Sequence, residues 1–272
     1  MAELALRKGE RKGRKPRVFV PGCGLGRLAW EVSELGYDTT ALDFSSYASL
    51  ALRFLLSSST HTRNQHAMQP FAYYLPHQRS NANLFRTVRI PDVVPREEPG
   101  SFTFLQGDFL KHRPPPPSPS PNSKEKGKEG KGGYDYIVTL FFLDTAADVF
   151  TYLSHIHSLL APGGLWINLG PLLWTSGYTA CPALSLEEVL EAVKRSGFAL
   201  LGEGDAGGNG VGGGKRGGGG NGKSGKELLG GLPLDLVKRR PIQCGYTADK
   251  HAMMSYEYHA EFWVARKVVD SL

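Results

Sequence analysis

Apolar and polar positions follow two alternating rhythms along this chain. Val18-Phe-Val-Pro21 is a short continuous apolar run, the signature of a buried strand. From Leu25 the apolar positions Leu25, Leu28, Ala29, Val32 and Leu35 recur at the spacing of one helical face. Thr39-Thr-Ala-Leu-Asp-Phe44 reads as a second strand. Ser45 then caps a helix from Ser46 to Ser57 whose inner side is expected to be Tyr47, Leu50, Ala51, Phe54 and Leu55. Ser101 to Asp108 is the next strand, and Tyr134 to Asp144 is so apolar that it belongs in the middle of a parallel sheet. Ala147 to Leu160 is a helix with Val149, Tyr152, Leu153, Ile156 and Leu160 facing in, stopped by Ala161-Pro-Gly-Gly164. Leu165 to Gly170 is a strand, and Ser185-Leu-Glu-Glu188 is a capping box opening a helix to Arg195, with Gly197 as its stop. After the short strand Phe198 to Leu201, a helical segment within Gln243 to Met254 precedes two strands, Ser255 to His259 and one through Phe262 to Ala265. Strands alternating with helices and closing on a hairpin predict an α/β fold with a mostly parallel sheet.

Three stretches break the rhythm. His61 to Pro95 is polar and irregular, too long for an ordinary connection, and is expected to lie over the sheet as a functional insertion. Arg113 to Gly133 and Gly202 to Gly231 are dominated by Pro, Ser, Gly, Lys and Asn and cannot bury a core. The chain therefore divides into a basic tail, residues 1–16, and one domain, residues 17–272, with low-complexity insertions at 113–133 and 202–231.

Charge changes this picture little. Lys and Arg number 32 against 26 Asp and Glu, a net +6. The excess is concentrated in the tail and in the two low-complexity insertions. Those lysine-rich runs carry no interleaved aromatics, so no nucleic-acid partner is expected. No apolar run reaches the ~18 residues of a membrane span, and no secretory core opens the chain. The three cysteines, Cys23, Cys181 and Cys244, form no C-x-x-C pair and indicate neither a disulfide framework nor a zinc site. A reducing, cytoplasmic setting fits, with a nuclear one left open.

Candidate chemistry gathers at the strand ends. Gly22, Gly24 and Gly26 form a turn between the first strand and helix, free for positive φ and for close approach of a ligand. Asp43, 17 residues beyond Gly26, ends the second strand, where a carboxylate can accept both hydroxyls of a ribose. The spacing G-x-G-x-G departs from the G-x-G-x-x-G of dinucleotide enzymes and speaks against a nicotinamide-dependent dehydrogenase. Asp108, followed by Phe109, ends the third long strand. It can either meet an adenine amino group or simply cap the next turn. Asp144 ends the most apolar strand, at the edge where open α/β sheets bind ligands. His61, His66 and His77 are scattered without metal-ligand spacing. His155 and His157, two apart on a helix, point to different sides.

Taken together, Val20-Pro-Gly-Cys-Gly-Leu-Gly-Arg-Leu-Ala-Trp-Glu31, His77-Gln with Ser80-Asn81, Ile90-Pro-Asp-Val93 and Gly107-Asp-Phe109 resemble the carnosine N-methyltransferase family. Phe141-Phe-Leu-Asp-Thr145, Pro162 to Leu173 and Met253-Met-Ser-Tyr-Glu-Tyr258 complete the series. The similarity runs from about Arg17 to Lys267 outside the two insertions. It implies a class I methyltransferase, Rossmann-like, with a seven-stranded, mostly parallel sheet, helices on both faces and a C-terminal antiparallel hairpin. It implies S-adenosyl-L-methionine as cofactor, held by Gly22, Gly24, Gly26, Asp43, Asp108, Phe109 and Thr139. It further implies a small histidine-containing dipeptide such as carnosine as methyl acceptor, met by Asp144, Tyr256 and Tyr258, and no metal. The family pattern has an aromatic–His pair after Gly-Pro-Leu-Leu, where this chain has Trp174-Thr175. A protein or peptide histidine as acceptor, or a binding module without turnover, therefore stays open, as does a homodimer.

Overall fold

The computed structural model describes residues 14–95, 102–117, 132–174, 182–202, 228–229, 232–233, 238–245 and 249–269. Strand β1 (Arg17–Pro21) leads through the glycine turn into α1 (Arg27–Glu34), then β2 (Asp38–Asp43) and α2 (Ser46–Leu56). The insertion contributes β3 (His66–Met68), a short α3 (Asn81–Leu84) and β4 (Val88–Ile90), with β3 and β4 paired antiparallel. The sheet resumes with β5 (Phe102–Gln106) and β6 (Tyr134–Leu140), followed by α4 (Val149–Leu159), β7 (Leu160–Gly170), α5 (Leu186–Arg195) and β8 (Phe198–Leu200). After the small pair β9 (Leu228–Leu229) and β10 (Leu232–Pro233), the hairpin β11 (Arg240–Gly245) and β12 (Glu257–Lys267) ends the described chain.

The main sheet runs β11-β12-β7-β6-β1-β2-β5. Its five members from β7 to β5 are mutually parallel, and β12 is antiparallel to both β7 and β11. An eighth strand, β8, shares the outer flank of β12 with β11: β11 lies along Glu257 to Phe262 and β8 along Ala265 to Lys267. Alternation along the central strands sends neighbours to opposite faces. Phe19, Ile137, Trp166 and Trp263 join Leu153 and Ile156 of α4 and Val189 and Val193 of α5 on one face. Val18, Val20, Val138, Ile167 and Val264 meet Ala29 and Val32 of α1 on the other. The chain leaves β1 toward β2 and β5, then crosses back to β6 on the other side of β1. The order therefore reverses at the carboxyl ends of β1 and β6, the place where open α/β sheets take ligands.

Local signals hold where partners are close in sequence. Ser45 caps α2 by accepting from Ala48 N–H, and Ser185 with Glu188 forms the expected capping box on α5. The inner face of α2 is a correction. Tyr47 is 90 % and Leu50 70 % exposed, and Phe54 is exposed too, whereas Ser49 and Leu52 are buried. Leu52 packs into the space that Gly26 leaves empty: a Cβ there would stand 2.9 Å from the Leu52 methyls. Ser49 turns inward because its hydroxyl donates to Ser45 C=O at 2.7 Å. Leu25 likewise precedes α1 and is exposed.

The described residues of the expected helical segment, 243–245 and 249–254, are not helical either. Arg240–Gly245 is an edge strand alternating between exposed and half-buried positions, and the two final strands are one, β12. The expected Ala161–Gly164 stop is a loop bulging from the start of β7, since Tyr134 pairs with Leu160 and Tyr136 already with Leu165.

The low-complexity insertion after β5 is anchored at its ends. Gly133 N–H donates to Pro115 C=O at 3.0 Å, and the Arg17 guanidinium to Pro116 C=O at 2.6 Å. Residues 118–131 lie outside the described residues. Loop length costs little entropy, and this tract has no apolar residue to bury. Replacing 118–131 by a short Gly-Ser link should leave the melting temperature within a few degrees. A collapse of the cooperative transition in circular dichroism would show that the tract packs.

Candidate functional site

The glycine turn is shaped by what its side chains would strike. Gly22 has φ +61°, and a Cβ on it would come within 2.4 Å of the Phe142 ring. Gly26, with φ +76°, is closed off by Leu52. Gly24 differs: nothing lies within 4 Å of the Cβ position, so its outer side is open. Its N–H donates to Asp43 Oδ2 at 2.7 Å, and Ser45 N–H donates to Asp43 Oδ1 at 2.8 Å. Asp43 is only 8 % exposed. The carboxylate at the tip of β2 thus ties the glycine turn to the start of α2, and each oxygen keeps lone-pair capacity for a further donor.

Asp108 and Phe109 stand at the carboxyl end of β5. Asp108 caps a single 3-10 turn, Phe109–Lys111, by accepting from Leu110 N–H at 3.0 Å. The Phe109 ring is buried among Phe142, Tyr152 and His155, with centroids 5.2, 4.9 and 4.7 Å away. What Phe109 can offer a ligand is therefore its main chain.

Thr139 is not at the site. It lies inside β6, where its hydroxyl donates to Asn168 Oδ1 and accepts from Trp166 Nε1, both at 2.8 Å. That buried chain of hydrogen bonds commits the hydroxyl proton and links β6 to β7. Leu140 is the β6 residue that emerges exposed at the carboxyl end.

Beyond Leu140 the chain turns sharply. Phe141 has φ +51°, and its N–H donates to Leu169 C=O at 2.8 Å. A 3-10 turn over Leu143–Thr145 then carries Asp144, which is 5 % exposed. Asp144 Oδ2 accepts the N–H of Leu173 at 2.9 Å, so the carboxylate pins the segment that leaves β7. Burial pushes this carboxyl above the usual carboxylate range, and the Leu173 N–H pulls it part of the way back. Tyr258, on β12, meets the Phe141 ring edge-on at 5.5 Å. Tyr256 is more exposed and lines a cavity beside the insertion. Asp43 and the glycine turn touch the Asp144 turn through Phe142, which packs on Gly22.

Sequence reading missed how the insertion is held. Arg86 makes a two-pronged ion pair with Asp249, which also accepts from Gln78 Nε2 at 2.8 Å. The Arg86 guanidinium lies 3.7 Å from the centre of the Phe71 ring. His77 C=O accepts Met253 N–H at 2.8 Å. The guanidinium holds the Asp249 carboxyl well below the usual carboxylate range. At its other end the insertion returns Asp92 to Arg27 at the start of α1, with contacts of 2.8 and 2.9 Å. Arg86 and Asp249 are 163 residues apart, so no local spacing announces the pair.

The sequence profile of the carnosine N-methyltransferase family matches residues 2–206. The chain belongs to this family. It is 35 % identical to the carnosine N-methyltransferase of Mus musculus over 258 residues, 93 % of this chain and 52 % of the relative. The carnosine N-methyltransferase of Schizosaccharomyces pombe is 26 % identical over 267 residues, covering 93 % and 58 %. The chain therefore spans about half the length of the curated relatives it matches. Among solved structures, a Bacillus halodurans protein named as a methyltransferase superposes with a TM-score of 0.51 at 9 % identity, covering 98 % of this chain and 96 % of that one. The likeness is one of fold: a mostly parallel sheet with helices and a C-terminal antiparallel hairpin.

Proposed function

We propose that this chain transfers a methyl group to the imidazole of carnosine or of a closely related histidine-containing dipeptide. The observation that carries the reading is Asp144. It is a buried carboxylate on the 3-10 turn that follows β6, fixed by Leu173 N–H, and the residue two before it packs on the glycine loop. Acid and cofactor cradle are thereby neighbours.

The residues suit S-adenosylmethionine. Open space over Gly24, the part-free carboxylate of Asp43 and the second oxygen of Asp108, 3.8 Å from Lys111 Nζ, offer room, a ribose acceptor and an adenine acceptor. When bound, that cofactor supplies a methyl group on a sulfonium. The protein's own contribution is to present the acceptor. Asp144 accepts the N–H of one ring nitrogen and so fixes the tautomer in which the other nitrogen carries its lone pair. As that nitrogen forms its bond to carbon the ring becomes cationic, and the carboxylate stabilises the charge where it develops. The proton then leaves the ring toward Asp144, whose raised pKa makes it a competent acceptor. A neutral imidazole is already nucleophilic, so orientation and exclusion of water carry the rest of the acceleration. Tyr256 and Tyr258 line the approach.

Incubating the full chain with isotope-labelled S-adenosylmethionine and carnosine should give a product of carnosine plus one labelled methyl in mass spectrometry. Label appearing only on histidines of added protein would replace the dipeptide by a polypeptide acceptor.

A further inference from the structure

The cavity between the insertion and the turn before β12 measures about 410 Å³, within the range of small-molecule sites. Of its lining, the methyl-transfer chemistry above uses only Tyr256, on the approach to Asp144. The lining includes Tyr73, His77, Gln78, Asp249, Met254 and Tyr256, and among the described residues no Lys or Arg. Gln78 Nε2 donates to Asp249, but Gln78 Oε1 is buried and has no partner among the described residues. A buried acceptor left unmade costs the fold its desolvation and calls for a donor. The walls add aromatic faces: the Tyr73 and Tyr74 rings stand 6.2 Å apart at 47°. The neighbouring guanidinium of Arg86 is already committed to Asp249 and stacked on Phe71. An unsatisfied acceptor, π faces, the Asp249 carboxylate and no Lys or Arg among the described lining residues favour an ammonium over a carboxylate.

We propose that this cavity is the subsite for the amino end of the dipeptide, with Gln78 Oε1 accepting one ammonium N–H and the tyrosine faces meeting its charge. This assignment rests on the imidazole standing at Asp144. Tyr256 lines the cavity, and Tyr258, two residues further along the chain, meets the ring of Phe141, in the segment that leads into the Asp144 turn. The site thereby selects free dipeptides over histidines whose amino side is acylated, as within a polypeptide.

The test compares carnosine with N-acetylcarnosine in the wild-type chain and in the variants Gln78→Met and Tyr73→Leu. Tyr73 is 88 % exposed, so its variant folds independently of the outcome. The expected result is a KM about tenfold higher for N-acetylcarnosine with kcat preserved. Each variant should raise the carnosine KM toward that value while leaving the N-acetylcarnosine KM unmoved. Equal KM values in the wild type, or variants that raise both alike, would overturn the assignment and leave imidazole methylation standing. If neither compound is methylated, the reading at Asp144 fails and calorimetry with β-alanyl-alanine, which has the amine and no imidazole, decides the cavity. Binding to wild type that weakens about tenfold in both variants supports it, and equal or absent binding sinks it.

Discussion

Asp144→Asn should lower kcat with carnosine by ~10²-fold or more while leaving S-adenosylmethionine affinity unchanged. The geometry makes this substitution severe. Asp144 Oδ2 holds Leu173 N–H at 2.9 Å. If the asparagine oxygen keeps that bond, its NH₂ group must face the acceptor, opposing the ring N–H with a donor. If the amide turns round, Leu173 loses its partner. Either way the negative charge opposite the forming imidazolium is gone.

Stability should not follow activity. Burial raises the folded-state pKa of this carboxyl above its unfolded value. Its favourable contribution therefore exists below the unfolded aspartate pKa of about 3.9 and is lost as pH rises through the folded value. At neutral pH the ionised group costs the fold, and the asparagine removes that cost. The variant's melting temperature should equal or exceed that of wild type. The kcat profile at saturating carnosine should lose the acid limb that Asp144 contributes. Loss of cofactor binding in step with activity would assign Asp144 to the cofactor, and full activity would remove it from the chemistry.

How much of this was legible in the sequence depends on the distance between partners. Ser45 with Ala48, and Ser185 with Glu188, interact within a turn, and their residue types alone reveal them. The phase of α2 was not legible from periodicity. Tyr47, Leu50 and Phe54 make the stronger apolar stripe, yet the side that packs is the one where Leu52 fills the space that Gly26 leaves. Thr139 sits on the right strand for a ligand, but its register points it between Trp166 and Asn168, and register is a property of the sheet. Asp43 does end β2, because chain direction fixes which end of a parallel strand faces the crevice, whereas β6 stops at Leu140 and the expected strand end at Asp144 is a 3-10 turn beyond it. The bond from Asp144 to Leu173 and the clasp of Arg86 on Asp249 join residues 29 and 163 positions apart. Such pairs come from the topology, and only the folded chain shows that the insertion and the hairpin wall off one cavity.

The second large effect is expected at Asp43. Asp43→Ala removes the acceptor of Gly24 N–H and Ser45 N–H at once, as well as the carboxylate available to a ribose. Two consequences follow, and they are separately measurable. Loss of two charge-assisted hydrogen bonds to ribose weakens S-adenosylmethionine binding by roughly 2–4 kcal/mol in calorimetry. The two N–H groups left behind in a nearly closed site destabilise the unliganded protein by ~1–3 kcal/mol each where water does not reach them. For a chain of this size that lowers the melting temperature by several degrees without any cofactor present. Asp43→Asn should fall between, since one amide oxygen can accept only one of the two bonds at its former geometry, and the NH₂ group opposes the other. A variant with normal affinity would mean the ribose is held elsewhere. A variant with weakened affinity but an unchanged unliganded melting temperature would show that Asp43 serves the ligand alone and that the glycine turn keeps its shape without it.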